Sequence, residues 1–77
     1  MSASATGGRL AKRSVTVAGH ATSVSVEDAF WRALGDIARA EGLSVNALIT
    51  RIDRERGGAG NLSSAVRVYV LEYARKR

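Results

Sequence analysis

The 77-residue chain contains no cysteine and a single histidine, His20. Disulfides and thiolate metal sites are excluded by the first absence, and a histidine-built zinc site within one chain by the second. No cofactor and no metal is therefore expected. The apolar runs are only a few residues long, far short of the roughly 18–20 residues of a membrane span. Residues 1–8 lack a hydrophobic core region and do not read as a secretory signal, so a cytoplasmic location is expected. The acids are scattered and no nucleophile, base and acid converge in the pattern, so no enzymatic activity is expected. Gly57–Gly60 lacks the Gly-Lys-Ser/Thr ending of a phosphate loop and reads as a hinge. A domain this small buries only about 60% of the surface its unfolded chain exposes. With disulfides and metals excluded, self-association is the expected support.

What the chain does have is positive charge, +5 overall, unevenly placed. Residues 1–26 carry Arg9, Lys12 and Arg13 and no acid, and residues 59–77 carry Arg67, Arg75, Lys76 and Arg77 against Glu72. Residues 27–42 are net acidic. Basic ends around a near-neutral middle suit a polyanionic partner.

Residues 1–12 are small, polar and without periodicity, and read as a disordered basic arm. The remainder, 13–77, reads as one domain. In 13–26, Val15 and Val17 alternate with Ser14 and Thr16, and Val24 and Val26 with Ser23 and Ser25. Period-two alternation of β-branched residues marks half-buried strands. A type II′ turn at Gly19-His20 would set Val17 opposite Thr22, Val15 opposite Val24 and Arg13 opposite Val26. The alternative keeps 21–26 as the strand and leaves 13–20 as an extended arm. A helix follows over 27–41, with Ser25 and the acids Glu27 and Asp28 at its start. Its apolar stripe is Phe30, Ala33, Leu34, Ile37 and Ala38, and Gly42 ends it. A second helix, 44–56, starts at Ser44 as N-cap and carries Val45, Leu48, Ile49 and Ile52. A third, 62–76, is capped by Asn61 or Ser63 and carries Leu62, Ala65, Val66, Tyr69, Val70 and Tyr73, with Val68 and Leu71 widening the apolar face.

The order of short strand, helix, Gly-Leu-Ser turn and helix resembles the ribbon-helix-helix superfamily of Arc/MetJ-type repressors. The resemblance is carried by TSVSVE from Thr22, the helix from Asp28 to Glu41, and AEGLSVNALI from Ala40. RSVTVAGH from Arg13 and NLSSA from Asn61 extend it to short bacterial ribbon-helix-helix proteins. The implied fold is mostly α with a short β-ribbon, a ribbon-helix-helix unit with an additional C-terminal helix, as an obligate dimer. The resemblance implies that two chains pair their strands into one ribbon that enters the DNA major groove. It also implies that Val24 and Val26 enter a shared core and that the second helix directs its free N–H groups at a phosphate.

On this basis the DNA-binding residues are Arg13, Thr22, Ser23 and Ser25 on the ribbon and Ser44, Val45 and Asn46 at the second helix start. Arg9, Lys12 and Arg13 would follow the backbone or enter the minor groove. His20 reads as a turn residue, and Trp31 and Tyr69 as core or interface anchors. The sequence departs from the family at the outward ribbon positions: Ala21, Ser23 and Ser25 stand where long polar or basic side chains are usual, and serine discriminates bases weakly. A hairpin over 13–26 would also give a dimer four strands, too wide for one groove; either 13–20 peels away or the sheet binds something else. The expected partners are double-stranded DNA and a second copy, with a dimer of dimers on tandem sites. The expected role is a repressor-type transcriptional regulator. The rivals are a protein-interaction module such as an antitoxin, and a membrane-surface adaptor using the apolar last helix.

Overall fold

The alternating valines fold back on one another as a hairpin in the computed structural model, which describes residues 8–57 and 61–76. Strands β1 (Leu10–Val17) and β2 (His20–Glu27) form a two-stranded antiparallel sheet. Val15, Val17, Val24 and Val26 share its inner face, and all four are buried. Residues 13–20 are thus a hairpin strand rather than an arm.

Two details differ from the expected hairpin. The turn is Ala18-Gly19, one residue earlier, so Val17 stands opposite His20, Val15 opposite Thr22 and Arg13 opposite Val24. Both turn residues have positive φ, 53° at Ala18 and 83° at Gly19. That is the type I′ pattern, whose twist matches the flanking strands, and not type II′. The pairing slips by two positions, so every side chain keeps its face and the valine cluster survives. The second difference is that β1 begins at Leu10: Leu10, Ala11 and Lys12 pair with Glu27, Val26 and Ser25. The end of the expected arm is therefore strand, and residues 1–7 lie outside the described residues.

Ala18 holds a left-handed conformation that disfavours an L side chain by about 1–2 kcal/mol. Asparagine tolerates it better. Ala18→Asn is expected to stabilise the fold by about 0.5–1 kcal/mol, visible in thermal melts as a rise of about 2–8 °C.

Helix α1 (Asp28–Ala40) starts directly from β2, with Glu27 as N-cap and no side-chain cap bond. Ser25, expected at the helix start, lies inside β2 instead. The physical reason is the longer hairpin: the Arg9 carbonyl accepts from the Asp28 N–H at 2.9 Å, so the ladder runs to the helix and satisfies an N–H that a cap would otherwise take. Leu34, Ile37 and Ala38 form the buried face. The helix closes as expected around Gly42 (φ +71°): Leu43 N–H donates to Ala38 O at 2.8 Å and Gly42 N–H to Arg39 O at 3.2 Å, the paired bonds of a Schellman end.

Helix α2 (Val45–Arg56) is capped by the Ser44 hydroxyl, which accepts from Ala47 N–H at 3.0 Å. Leu48, Ile49 and Ile52 are buried. Gly57 ends it in the left-handed region. The rest of the expected hinge, 58–60, lies outside the described residues.

Helix α3 (Leu62–Arg75) is capped by Asn61, which accepts from Ser64 N–H at 3.1 Å. Ser63, the other candidate cap, reaches β2 instead: its hydroxyl accepts from Ser25 N–H at 3.0 Å. Val66 and Val70 are buried, while Val68 and Leu71 remain about half exposed, at 57% and 52%. The core thus lies between the valine face of the hairpin and one stripe of each helix.

Candidate nucleic-acid interface

Because side chains alternate along a strand, the outer hairpin face carries Leu10, Lys12, Ser14 and Thr16 from β1 and Ala21, Ser23, Ser25 and Glu27 from β2. Lys12, Ser14, Thr16 and Ala21 are exposed, and Ser23 and Ser25 half-buried. The middle of this face is small and polar, so the backbone can approach a surface closely.

The α2 N-terminus lies against the outer edge of β1. The Thr16 backbone N–H donates to Asn46 Oδ1 at 3.4 Å, a contact 30 residues apart in sequence. The first turn of α2 has no acidic residue, so the positive end of its dipole is not neutralised locally. The Ala47 N–H is taken by Ser44; the preceding backbone N–H groups, of Val45 and Asn46, have no intrahelical acceptor by construction. Asn46 itself is exposed.

Of the seven residues expected on the DNA surface, five meet here: Ser23 and Ser25 on the hairpin face, and Ser44, Val45 and Asn46 at the edge of β1. Two stand elsewhere. Thr22 is on the valine side of the hairpin, opposite Val15, where it lines a shallow depression with Val17, His20, Asp53, Arg56 and Leu62. Arg13 is on that side too. It donates to Asp28 Oδ1 at 2.8 Å and its guanidinium lies 4.9 Å from the Trp31 ring centroid. Its side chain is 34% exposed, and its buried Nε has no partner. Arg13 thus ties β1 to α1 and is not held out toward a ligand. Ser14 and Thr16 share the outer face with Ser23 and Ser25, as the alternation predicts, although neither is among the expected DNA contacts; Lys12, expected on the arm, joins them.

Two ion pairs brace the hairpin from its ends. One is Arg13–Asp28. The other joins β2 to α3: Arg67 donates from Nε and Nη2 to the two Glu27 oxygens at 2.9 and 3.4 Å. These bonds, with a backbone hydrogen bond at Glu27, hold its carboxyl below the ordinary value. A depressed carboxyl contributes stability above its unfolded-state value and loses it as pH falls through the folded one. The acid-induced fall in melting temperature, followed by circular dichroism from about pH 5 to pH 2, is expected to be shallower in Glu27→Gln.

Among the described residues, Arg9, Lys12, Arg32, Arg54, Arg75 and Lys76 hold no ion pair and are exposed. No group of three or more metal-ligating side chains occurs among the described residues, and no helix there is long and apolar enough to cross a membrane.

The family described as the ribbon-helix-helix domain matches residues 10–74. Among solved structures, an uncharacterized protein from Bordetella pertussis Tohama I is similar, at 37% sequence identity and a TM-score of 0.77. The match covers 90% of this chain and 58% of that one, so the chain spans somewhat over half of its length. No curated protein matches.

Proposed function

Since the chain belongs to the ribbon-helix-helix domain family, we propose that it is a sequence-specific DNA-binding transcriptional regulator, a homodimer acting as a cytoplasmic repressor in a bacterium. The outer hairpin face enters the major groove, and the N-terminus of α2 holds a phosphate. Ser14, Thr16, Ser23 and Ser25 face base edges. The Val45 and Asn46 backbone N–H groups and the Ser44 hydroxyl face the phosphate, and Lys12 adds a cation beside the ribbon. The observation that carries this reading is the Asn46–Thr16 contact at 3.4 Å, because it sets an anion-favouring helix end beside a ribbon of groove width.

The test is binding of the purified chain to fragments of its source genome, by fluorescence anisotropy, at 50 and 200 mM salt. With two or three phosphates neutralised per chain, about four to six per dimer, affinity is expected to fall about 150- to 2,000-fold over that range. Absence of binding at the lower salt, or binding indifferent to salt, would overturn the proposal. A second reading, a protein-interaction module such as an antitoxin, is supported by the exposed Val68 and Leu71 on α3. It requires a second protein to co-purify stoichiometrically from the native host.

A further inference from the structure

We infer that a second copy of this chain docks on the groove between the last turns of α1 and α3, with Leu71 of each copy seated in the groove of the other. The inference rests on the homodimer of the reading above and names a surface for its self-association. Ala33, Ile37, Ala40, Val70, Tyr73 and Ala74 line a groove of about 600 Å³. Ile37 and Val70 are buried and form its floor, while the alanines beside them leave room for a larger side chain. Next to the groove, α3 holds Val68, Leu71 and Ala74 exposed on successive turns. Val68 and Leu71 lie on the side of the helix away from the buried Val66 and Val70, so no element of their own chain covers them. A large apolar side chain left in water beside an apolar groove is the pattern of a docking surface.

A protruding side chain and a groove on one face are self-complementary under a two-fold axis. An axis passing α3 between Leu71 and Ala74 sets the two copies of that helix antiparallel. It places Leu71 of each copy against Ala74 of the other, at the mouth of the groove. The charges around the groove favour a second copy as the occupant. Asp36 stands on its rim, within the net acidic stretch 27–42. Its bond to Arg39 is an exposed surface pair, of a kind worth little. Arg75, one turn beyond Leu71, is exposed and holds no ion pair among the described residues. In the antiparallel arrangement Arg75 of each copy comes over the other's α1 beside Asp36, so opposite charges meet twice across the axis. None of these residues belongs to the outer hairpin face, so both copies keep that face open to DNA.

The test is sedimentation equilibrium of the full chain without DNA. Leu71→Glu sets a carboxylate against the apolar groove and is expected to weaken self-association at least about 100-fold. At one concentration the parent should then sediment at twice the mass of the variant, with circular dichroism reporting whether the variant is folded. A second arm does not depend on that variant folding, because it changes only exposed positions. Arg75→Glu faces Asp36 with a like charge and is expected to weaken association about 3- to 10-fold. Asp36→Arg/Arg75→Glu restores opposite charges across the axis and should recover the loss. Parental mass in a folded Leu71→Glu, or no recovery in the double variant, would overturn the inference and leave the homodimer standing on another face. A parent that stays a single chain at every concentration would overturn both.

Discussion

Ser14→Glu is expected to weaken DNA binding by at least about 100-fold, since a like charge set against a partner costs several kcal/mol. Ser14 is exposed in the middle of the outer hairpin face, opposite Ser23. A carboxylate there would sit between two phosphate backbones and would draw off Lys12, its neighbour on the same face. The fold should not register the change: an exposed surface substitution of this kind stays within about 0.5 kcal/mol. The control is Thr22→Glu, which adds the same charge to the same hairpin on its valine side, beside Arg56. Its loss of affinity should be much smaller. Anisotropy titrations of the two variants at one salt concentration separate the alternatives: equal losses would mean that net charge, and not the outer face, governs binding, and no loss in Ser14→Glu would remove the ribbon from the groove.

What could be seen in the sequence followed the range of the interaction concerned. The valine alternation, the three helical stripes, and the ends at Ser44, Asn61, Gly42 and Gly57 all depend on residues within about one turn or one pleat of each other, and each has its counterpart in the structure. The turn was displaced by one residue because alanine gives no local signal for a left-handed conformation, whereas Gly19 fits a turn in either position. The start of β1 was hidden because Leu10, Ala11 and Lys12 do not alternate as apolar and polar; their pairing is imposed by Val26 and Glu27 across the ladder. Nothing near Arg13 in the sequence signals that it is paired. Its partners Asp28 and Trp31 are 15 and 18 positions away, beyond any periodic pattern. The two contacts that close the hairpin edges, Asn46 to Thr16 and Ser63 to Ser25, span 30 and 38 positions. Ser63 in particular could be read only as a cap, its usual use at a helix start.

Leu48→Ala is expected to be the most damaging single truncation for stability. Leu48 is fully buried on α2, between the hairpin and the other helices. Removing its isobutyl group loses its transfer free energy and leaves a cavity, together about 2–5 kcal/mol. A chain of this size has only about 3–5 kcal/mol available from one core, so the variant loses most or all of its margin. The melting temperature should fall by about 10–40 °C at 4–8 °C per kcal/mol. Leu48→Met keeps the volume and should cost less than about 1.5 kcal/mol. The loss also reaches the interface, because Leu48 and Ile49 anchor the helix whose first turn presents Ser44 and Asn46 to β1. In a sample cooled until Leu48→Ala is mostly folded, slack in α2 would loosen the Asn46–Thr16 contact and with it the phosphate-facing N–H groups. Circular dichroism melts measure the first effect, and anisotropy at low temperature the second. A variant that melts within a few degrees of the parent would show that α2 is not anchored through Leu48, and that the N–H groups of Val45 and Asn46 are held in place by something other than this core.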